Sequence, residues 1–567
     1  MRNKLFWLLA SISILTLLPF LGLNDFHTKG EPREAVVSYA MLESGNWILP
    51  LTAGGDIAYK PPFFHWSIAA LSAPFGEVTE YTSRLPSALA LIAMILGLFL
   101  FFSKRSDPFR SFLACLITLS AFEVHRAGMN ARVDMVLTTM IVLAVIRLYI
   151  WWEKDFRGIP WVAILLMSAG VLTKGPVGFI LPCASCGLFL LFNKVNFWKA
   201  FGKMALAGVL ACVLPALWYV MAYRVGGSEF VDLVMEENFG RFLGKMSYES
   251  HENPVYYNFL TVLSGYLPWT LLFVIALFFL PYREAKRTPR QLWEQTKEWF
   301  RTTDRVRLFS LLTILVIFVF YCIPKSKRSV YLLPIYPFIG FFMADAFMWM
   351  AEYKKQAFRI FGWIIASLSV IAMVLIGAVR MGIFDPTSML SGRKAQKIAI
   401  YIDAIRETPI SFIAIVSVAI LIAFLLVFFR DQKPREMGLK VMLSVVGLVF
   451  SLQLMLDGAL LPMILNAKST KNFSHEVARI VPEGKIYGFT NVGMLRFYIA
   501  NFYTGNRVWQ FEVEKPEEGY LLVGDKALPE LEKLFPGAYH FESVLRTPHN
   551  DTEVRDFVGL YHFRKVK

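Results

Sequence analysis

The chain has 567 residues, 56% of them hydrophobic and 15% aromatic, with a formal net charge of +15. A soluble globular protein carries less apolar and more charged sequence, so repeated apolar runs of near-bilayer length read as a polytopic membrane protein. The positive charge does not call for nucleic acid. No nucleic-acid motif is present, and the basic runs lie between apolar segments, where such charge sets orientation.

The N-terminus carries Arg2 and Lys4 ahead of an apolar run that reaches Leu23 without a small-residue cleavage site, so it is expected to remain as a first span. Residues 30–47, GEPREAVVSYAMLESGNW, follow at once. Gly30 and Pro32 frame a helix start, Glu31 sits beside its positive end, and Gly45-Asn46 closes it. Further apolar spans are expected near 85–102, 109–124, 133–152, 160–173, 175–193, 204–224, 261–281, 307–322, 330–350, 359–380, 409–429 and 439–463. With the first, this gives about 13 transmembrane helices.

The connections alternate in character. One set holds Lys104, Arg105 and Arg110, then Lys194, Lys199 and Lys203, then the basic 283–301 stretch, then Lys354 and Lys355, then Arg430 and Lys433. By the positive-inside rule these are cytoplasmic, together with the N-terminus. The loops 24–84, 225–260 and 381–408 then lie outside, and an odd span count puts the last hundred residues outside as well. There the composition changes. GKIYGF, RVWQF, GYLLVGD, YHFESVL and VGLYHF read as strands, and NVGMLRFYIAN and ALPELEKLF as helices. The expected organisation is a membrane domain over 1–463 and a small extracytoplasmic α/β domain over 464–567. All five cysteines lie in or at apolar spans, and Cys183 and Cys186 lack a second ligand pair, so neither disulfides nor a structural zinc is expected.

Charged groups at membrane depth are costly and point to function. Glu31 and Arg33 follow the first span, and Lys60 lies in the same loop. Arg126, Arg132 and Asp134 stand where the third span meets the fourth, and Lys174 occupies a short turn between the fifth and sixth. Glu237, Arg241 and His251 lie in the 225–260 loop, and Lys325, Lys327, Arg328 and Tyr331 follow span nine. The topology drawn from the other loops puts all of them on the outer side. Lys174 alone reads equally as a lysine snorkelling to the interface, and Asp134 as an ion-pair partner. Together they suit a lipid-linked phosphate: lysine and arginine hold the anion, and Glu31 or Asp134 deprotonates or orients an acceptor. No nucleotide-binding glycine loop is present. A transporter or flippase of lipid-linked sugars is the alternative, but the two pseudo-symmetric halves common in transporters are not evident.

GEPREAVVSYAMLESGNWILP with AYKPPFFHW, then ARVDMVL, LTKGPVGFILP, ENFGRF with HENPVYY, and SKRSVYLLPIYP resemble, in order, the motifs of the aminoarabinose lipid A transferase family. That family belongs with the dolichyl-phosphate-mannose protein mannosyltransferase-like proteins. The resemblance covers roughly residues 1–350. It implies a GT-C glycosyltransferase that takes a sugar from polyprenyl phosphate, usually with inversion, and passes it to lipid A, another glycan or protein. It implies a bacterial inner-membrane protein with a periplasmic C-terminal domain, expected as a monomer. It also implies that Lys60 and Arg241 bind the carrier phosphate and that the acid after span one and Asp134 act near the acceptor. Lys174, Lys327 and Arg328 are expected to assist at the phosphate, and Arg33, Asp25, Glu237, His251 and Tyr331 to support the acceptor side. The family's Asp-Glu pair is Gly30-Glu31 here, with Asp25 as a stand-in acid, and its Phe-Glu-Lys-Pro is Ala58-Tyr59-Lys60-Pro61. One carboxylate implicated in metal binding is therefore missing. The sequence requires no cofactor, and a divalent metal is left open.

Overall fold

The computed structural model describes residues 1–52, 54–58, 60–237, 252–280, 288–389, 391–433, 437–491 and 496–566. Arg241 and His251 lie outside the described residues. The first ten helices are α1 (Arg2–Leu17), α2 (Gly30–Ser44), α3 (Phe63–Ser72), α4 (Glu80–Phe102), α5 (Pro108–Leu119), α6 (Phe122–Gly128), α7 (Val133–Glu153), α8 (Trp161–Lys174), α9 (Val177–Phe192) and α10 (Phe197–Met235).

Among the described residues, nine helices are long and apolar enough to cross a membrane, or ten if the pair Tyr256–Gly265 and Trp269–Leu277, bent by 102°, is counted as one span. The three shorter apolar helices α5, α8 and α9 account for the rest of the expected segments. They fall below the ~20 residues that a bilayer requires. Their ends are set locally. Asp107 accepts the Arg110 N–H ahead of Pro108 at the start of α5. Gly175, at φ 83°, ends α8 immediately after Lys174. A Cβ on Gly178 would fall 2.3 Å from the Gly170 carbonyl carbon, so α8 and α9 meet backbone to backbone and hold that turn.

α7 is the inner strut of the bundle. In its apolar window 78% of residues are buried, against 28% for Lys355–Arg380 and Phe412–Arg430, whose apolar side chains are left to the lipid. α4, α8 and α9 pack around α7. The first residues of α7 therefore emerge at the centre of one end of the bundle, beside α2 and α3.

The C-terminal domain covers that same end. Its sheet has the order β4-β3-β5-β7-β6, built from β3 (Ile486–Phe489), β4 (Val508–Gln510), β5 (Glu518–Gly524), β6 (Tyr539–Arg546) and β7 (Val558–Lys565); β1 (Leu51–Thr52) and β2 (Asp56–Ile57) form a separate hairpin. β3 runs parallel to β4 and β5, and β7 runs antiparallel to β5 and β6. Lys471 reaches Asp25 at 2.9 Å and Glu80 at 2.7 Å. The Tyr503 hydroxyl donates to Glu80 at 2.8 Å and accepts the Phe26 N–H at 3.0 Å. Arg496 Nε lies 2.8 Å from Asp56 on the hairpin. At the opposite end Arg105 pairs with Glu153, and Arg110 and Arg307 share Asp345, which gathers the basic connections there.

Candidate active site

The two carboxylates at the start of α2 take different partners. Glu31 turns into the bundle and is 4% exposed. Arg84 donates Nε to its Oε1 at 2.8 Å and Nη2 to its Oε2 at 3.1 Å, and the Ala131 N–H adds a bond to Oε1 at 2.9 Å. Burial works against its charge, but Arg84 outweighs burial and holds the carboxyl below its usual range. Both Glu31 oxygens thus accept from a buried guanidinium, an arrangement that favours a structural role over that of proton acceptor. Glu31→Gln is expected to cost stability, on the order of 3–5 kcal/mol, because it strands the Arg84 charge. Loss of melting temperature and yield in detergent checks this; a normally stable variant that has lost turnover would return Glu31 to the catalytic machinery.

Glu34, one turn on, faces the cations instead. Arg33 Nη2 lies 3.0 Å from its Oε1, Lys60 pairs with the same oxygen, and His65 Nε2 lies 2.8 Å from Oε2. Burial opposes the charge of Glu34, yet Lys60 and then Arg33 hold its carboxyl well below the normal value. Burial pushes Lys60 down to about 8, helped by Arg33 and resisted by Glu34 and Glu237. The sequence pattern assigns no role in the site to Glu34 or His65. Their signal was present in spacing alone: Glu34 follows Glu31 by one turn, and His65 follows Lys60 on the first turn of an apolar helix.

Asp134 opens α7, and Lys174, the last residue of α8, pairs with its Oδ1. Among the described residues its Oδ2 accepts no hydrogen bond. Lys174 Nζ also stands 4.5 Å from the centre of the Tyr331 ring, which braces the lysine by a cation–π contact. Tyr331 belongs to the Ser329–Ile335 turn, and Arg328 precedes it. Arg132 and Arg328 are the next charges that act on Asp134. The structure thus brings Arg33, Lys60, Lys174, Arg328, Tyr331, Asp134 and Glu237 to one place.

Two expected members stand apart. Asp25 pairs with Lys471 and ties the C-terminal domain to the first loop. Lys327 is 5% exposed and donates to the Pro324 carbonyl at 2.6 Å, closing its own turn rather than facing a ligand. Arg126, another sequence candidate, pairs with Glu123 at 2.7 Å. Among the described residues no three His, Cys, Asp or Glu side chains gather as a metal site. Glu34 and His65 bond to each other with cations alongside, the reverse of a donor set awaiting a metal.

A family profile described as dolichyl-phosphate-mannose-protein mannosyltransferase matches residues 59–219. An undecaprenyl phosphate-alpha-4-amino-4-deoxy-L-arabinose arabinosyl transferase of Proteus mirabilis is 27% identical over 67% of this chain and 66% of its own length. A namesake from Pseudomonas savastanoi pv. phaseolicola is 27% identical over 66% and 67%. The crystal structure of ArnT from Cupriavidus metallidurans bound to undecaprenyl phosphate superposes with a TM-score of 0.67, covering 98% of this chain and 97% of that one at 18% identity. In sequence the chain is similar to the aminoarabinose transferases, and over one segment to the mannosyltransferase profile. It spans about two thirds of the length of these curated relatives. The shared fold extends further than the shared sequence and includes the C-terminal sheet. Within this GT-C frame, the profile match begins at the Lys60 segment and runs through Asp134 and Lys174.

Proposed function

We propose that this glycosyltransferase moves a sugar from a polyprenyl phosphate, such as undecaprenyl phosphate, to an acceptor on the outer face of a bacterial inner membrane. The observation that carries this reading is the charge balance around Asp134. Arg33, Lys60, Arg132, Lys174 and Arg328 surround three carboxylates, Glu34, Asp134 and Glu237, and leave a positive surplus at the mouth of a membrane bundle. Such a surplus binds a phosphate diester and favours it further when it departs as a monoester with one more negative charge.

The acceptor approaches Asp134, whose Oδ2 is open to a proton. The acceptor oxygen attacks the anomeric carbon, its proton passes to Asp134, and the bond from that carbon to the phosphate oxygen breaks with its electron pair on phosphate. Attack opposite the leaving group inverts the centre. A lipid, glycan or protein acceptor fits this scheme. The named relatives are transferases, which supports this reading over a carrier for lipid-linked sugars. Purified protein incubated with undecaprenyl-phosphate sugars and lipid A or glycan acceptors should give a mass-shifted acceptor; release of undecaprenyl phosphate with no modified acceptor under any pairing overturns the transfer.

The proposed orientation puts the N-terminus in the cytoplasm and residues 464–567 in the periplasm. A cysteine at Lys533, an exposed position, should react with an impermeant thiol reagent in intact spheroplasts, and one at Lys297 should be protected. The opposite pattern reverses the topology.

A further inference from the structure

Gly30 is the first residue of α2, and the space a side chain would take there is filled by an arginine. A Cβ built on Gly30 would lie 1.7 Å from Arg132 Nη2, 2.3 Å from Cζ and 2.8 Å from Nε. The Arg132 guanidinium therefore sits against the first residue of α2, and a side chain there would displace it. Glycine leaves the room in which this guanidinium sits.

Arg132 is held there without a counterion of its own. Among the described residues its side chain makes no hydrogen bond and no ion pair. Its electrostatic surroundings are Asp134 and Glu34 on the favourable side and Arg33 and Arg328 on the unfavourable side. Both acids are already engaged: Asp134 by Lys174, and Glu34 by Lys60, Arg33 and His65. A half-buried guanidinium among like charges is costly unless an anion arrives. The cost is recovered only when one is bound.

We propose that Arg132, seated on Gly30, is a further phosphate-binding residue that takes up the charge developing on the carrier phosphate. This rests on the lipid-phosphate donor reading above. As the bond from the anomeric carbon to the phosphate oxygen breaks, the electron pair moves to that oxygen and phosphate passes from one negative charge to two. The acceptor oxygen bonds to the anomeric carbon and loses its proton to Asp134. A cation without a partner gains more from the dianion than from the diester, so it favours the transition state over bound substrate. The guanidinium also offers two parallel N–H donors to phosphate, which a lysine does not.

The test uses full-length protein in detergent and undecaprenyl phosphate as the probe, with affinity read by native mass spectrometry and fold by thermal melting. Arg132→Gln should weaken binding tenfold or more. Gly30→Ala changes no charge, but its methyl group must push the guanidinium aside by over an ångström, so it should weaken binding by a comparable factor with little change in melting. Arg132→Lys should recover only part of the affinity. Wild-type affinity in both Arg132→Gln and Gly30→Ala overturns the assignment. Loss in Arg132→Gln with none in Gly30→Ala overturns the seat, and full recovery by lysine overturns the fork geometry. Failure of the unmodified protein to bind the lipid phosphate overturns the donor reading itself, a result separate from any of these.

Discussion

Asp134→Asn is expected to lower kcat by roughly 10²–10⁴-fold, the range that general-base loss produces, while donor KM stays level or falls. The asymmetry follows from the charges. Asparagine keeps an oxygen for Lys174 but cannot take the acceptor proton, and removing one negative charge raises the positive surplus at the proposed phosphate site. Lys174 is not stranded, since Tyr331 still braces it. Melting temperature should therefore drop little. A variant that keeps parental turnover, or one that loses fold and donor affinity together, would make Asp134 a structural partner of Lys174.

Lys60→Ala is expected to raise donor KM by tenfold or more, because it removes a cation from the proposed phosphate site. It also leaves the negative charge of Glu34 less neutralised beside the ligand. The ionisation of Lys60 adds a pH signature. Burial brings it down to about 8, so in the free enzyme the ammonium is present below pH 8 and is lost above it. kcat/KM should accordingly fall as pH rises through about 8, since that ratio reports ionisations of the free enzyme. Lys60→Arg, which stays charged, should remove this fall while restoring part of the affinity. An unchanged alkaline limb in Lys60→Arg would assign it to another group.

Local patterns carried the architecture. Each of the thirteen apolar segments became a helix or a bent helix pair, because hydropathy over ~20 residues is a property of the segment itself. The strands of the C-terminal domain fell where β-rich runs alternate with turn residues. Span length was less legible. α5, α8 and α9 are short because caps and the Gly175 turn end them, and neighbours shield them.

The site was legible as a set and not as a set of pairs. Alternating loop charge and the ends of the spans placed Lys60, Asp134, Lys174, Arg328 and Tyr331 on one side of the bundle, and the structure gathers them there. It took the tertiary structure to separate Glu31 from Glu34. The partner of Glu31 is Arg84, 53 residues away, and that of Glu34 is Lys60, 26 residues away. It likewise sent Asp25 to Lys471, 446 residues on, and laid Arg132 over Gly30. The physical reason is range. Burial in a bilayer follows from composition summed along a helix, which the sequence determines by itself. The role of a buried charge depends on which opposite charge comes within 3–4 Å in a low-dielectric interior, and only the packing of α2 against α3, α4 and α7 decides that.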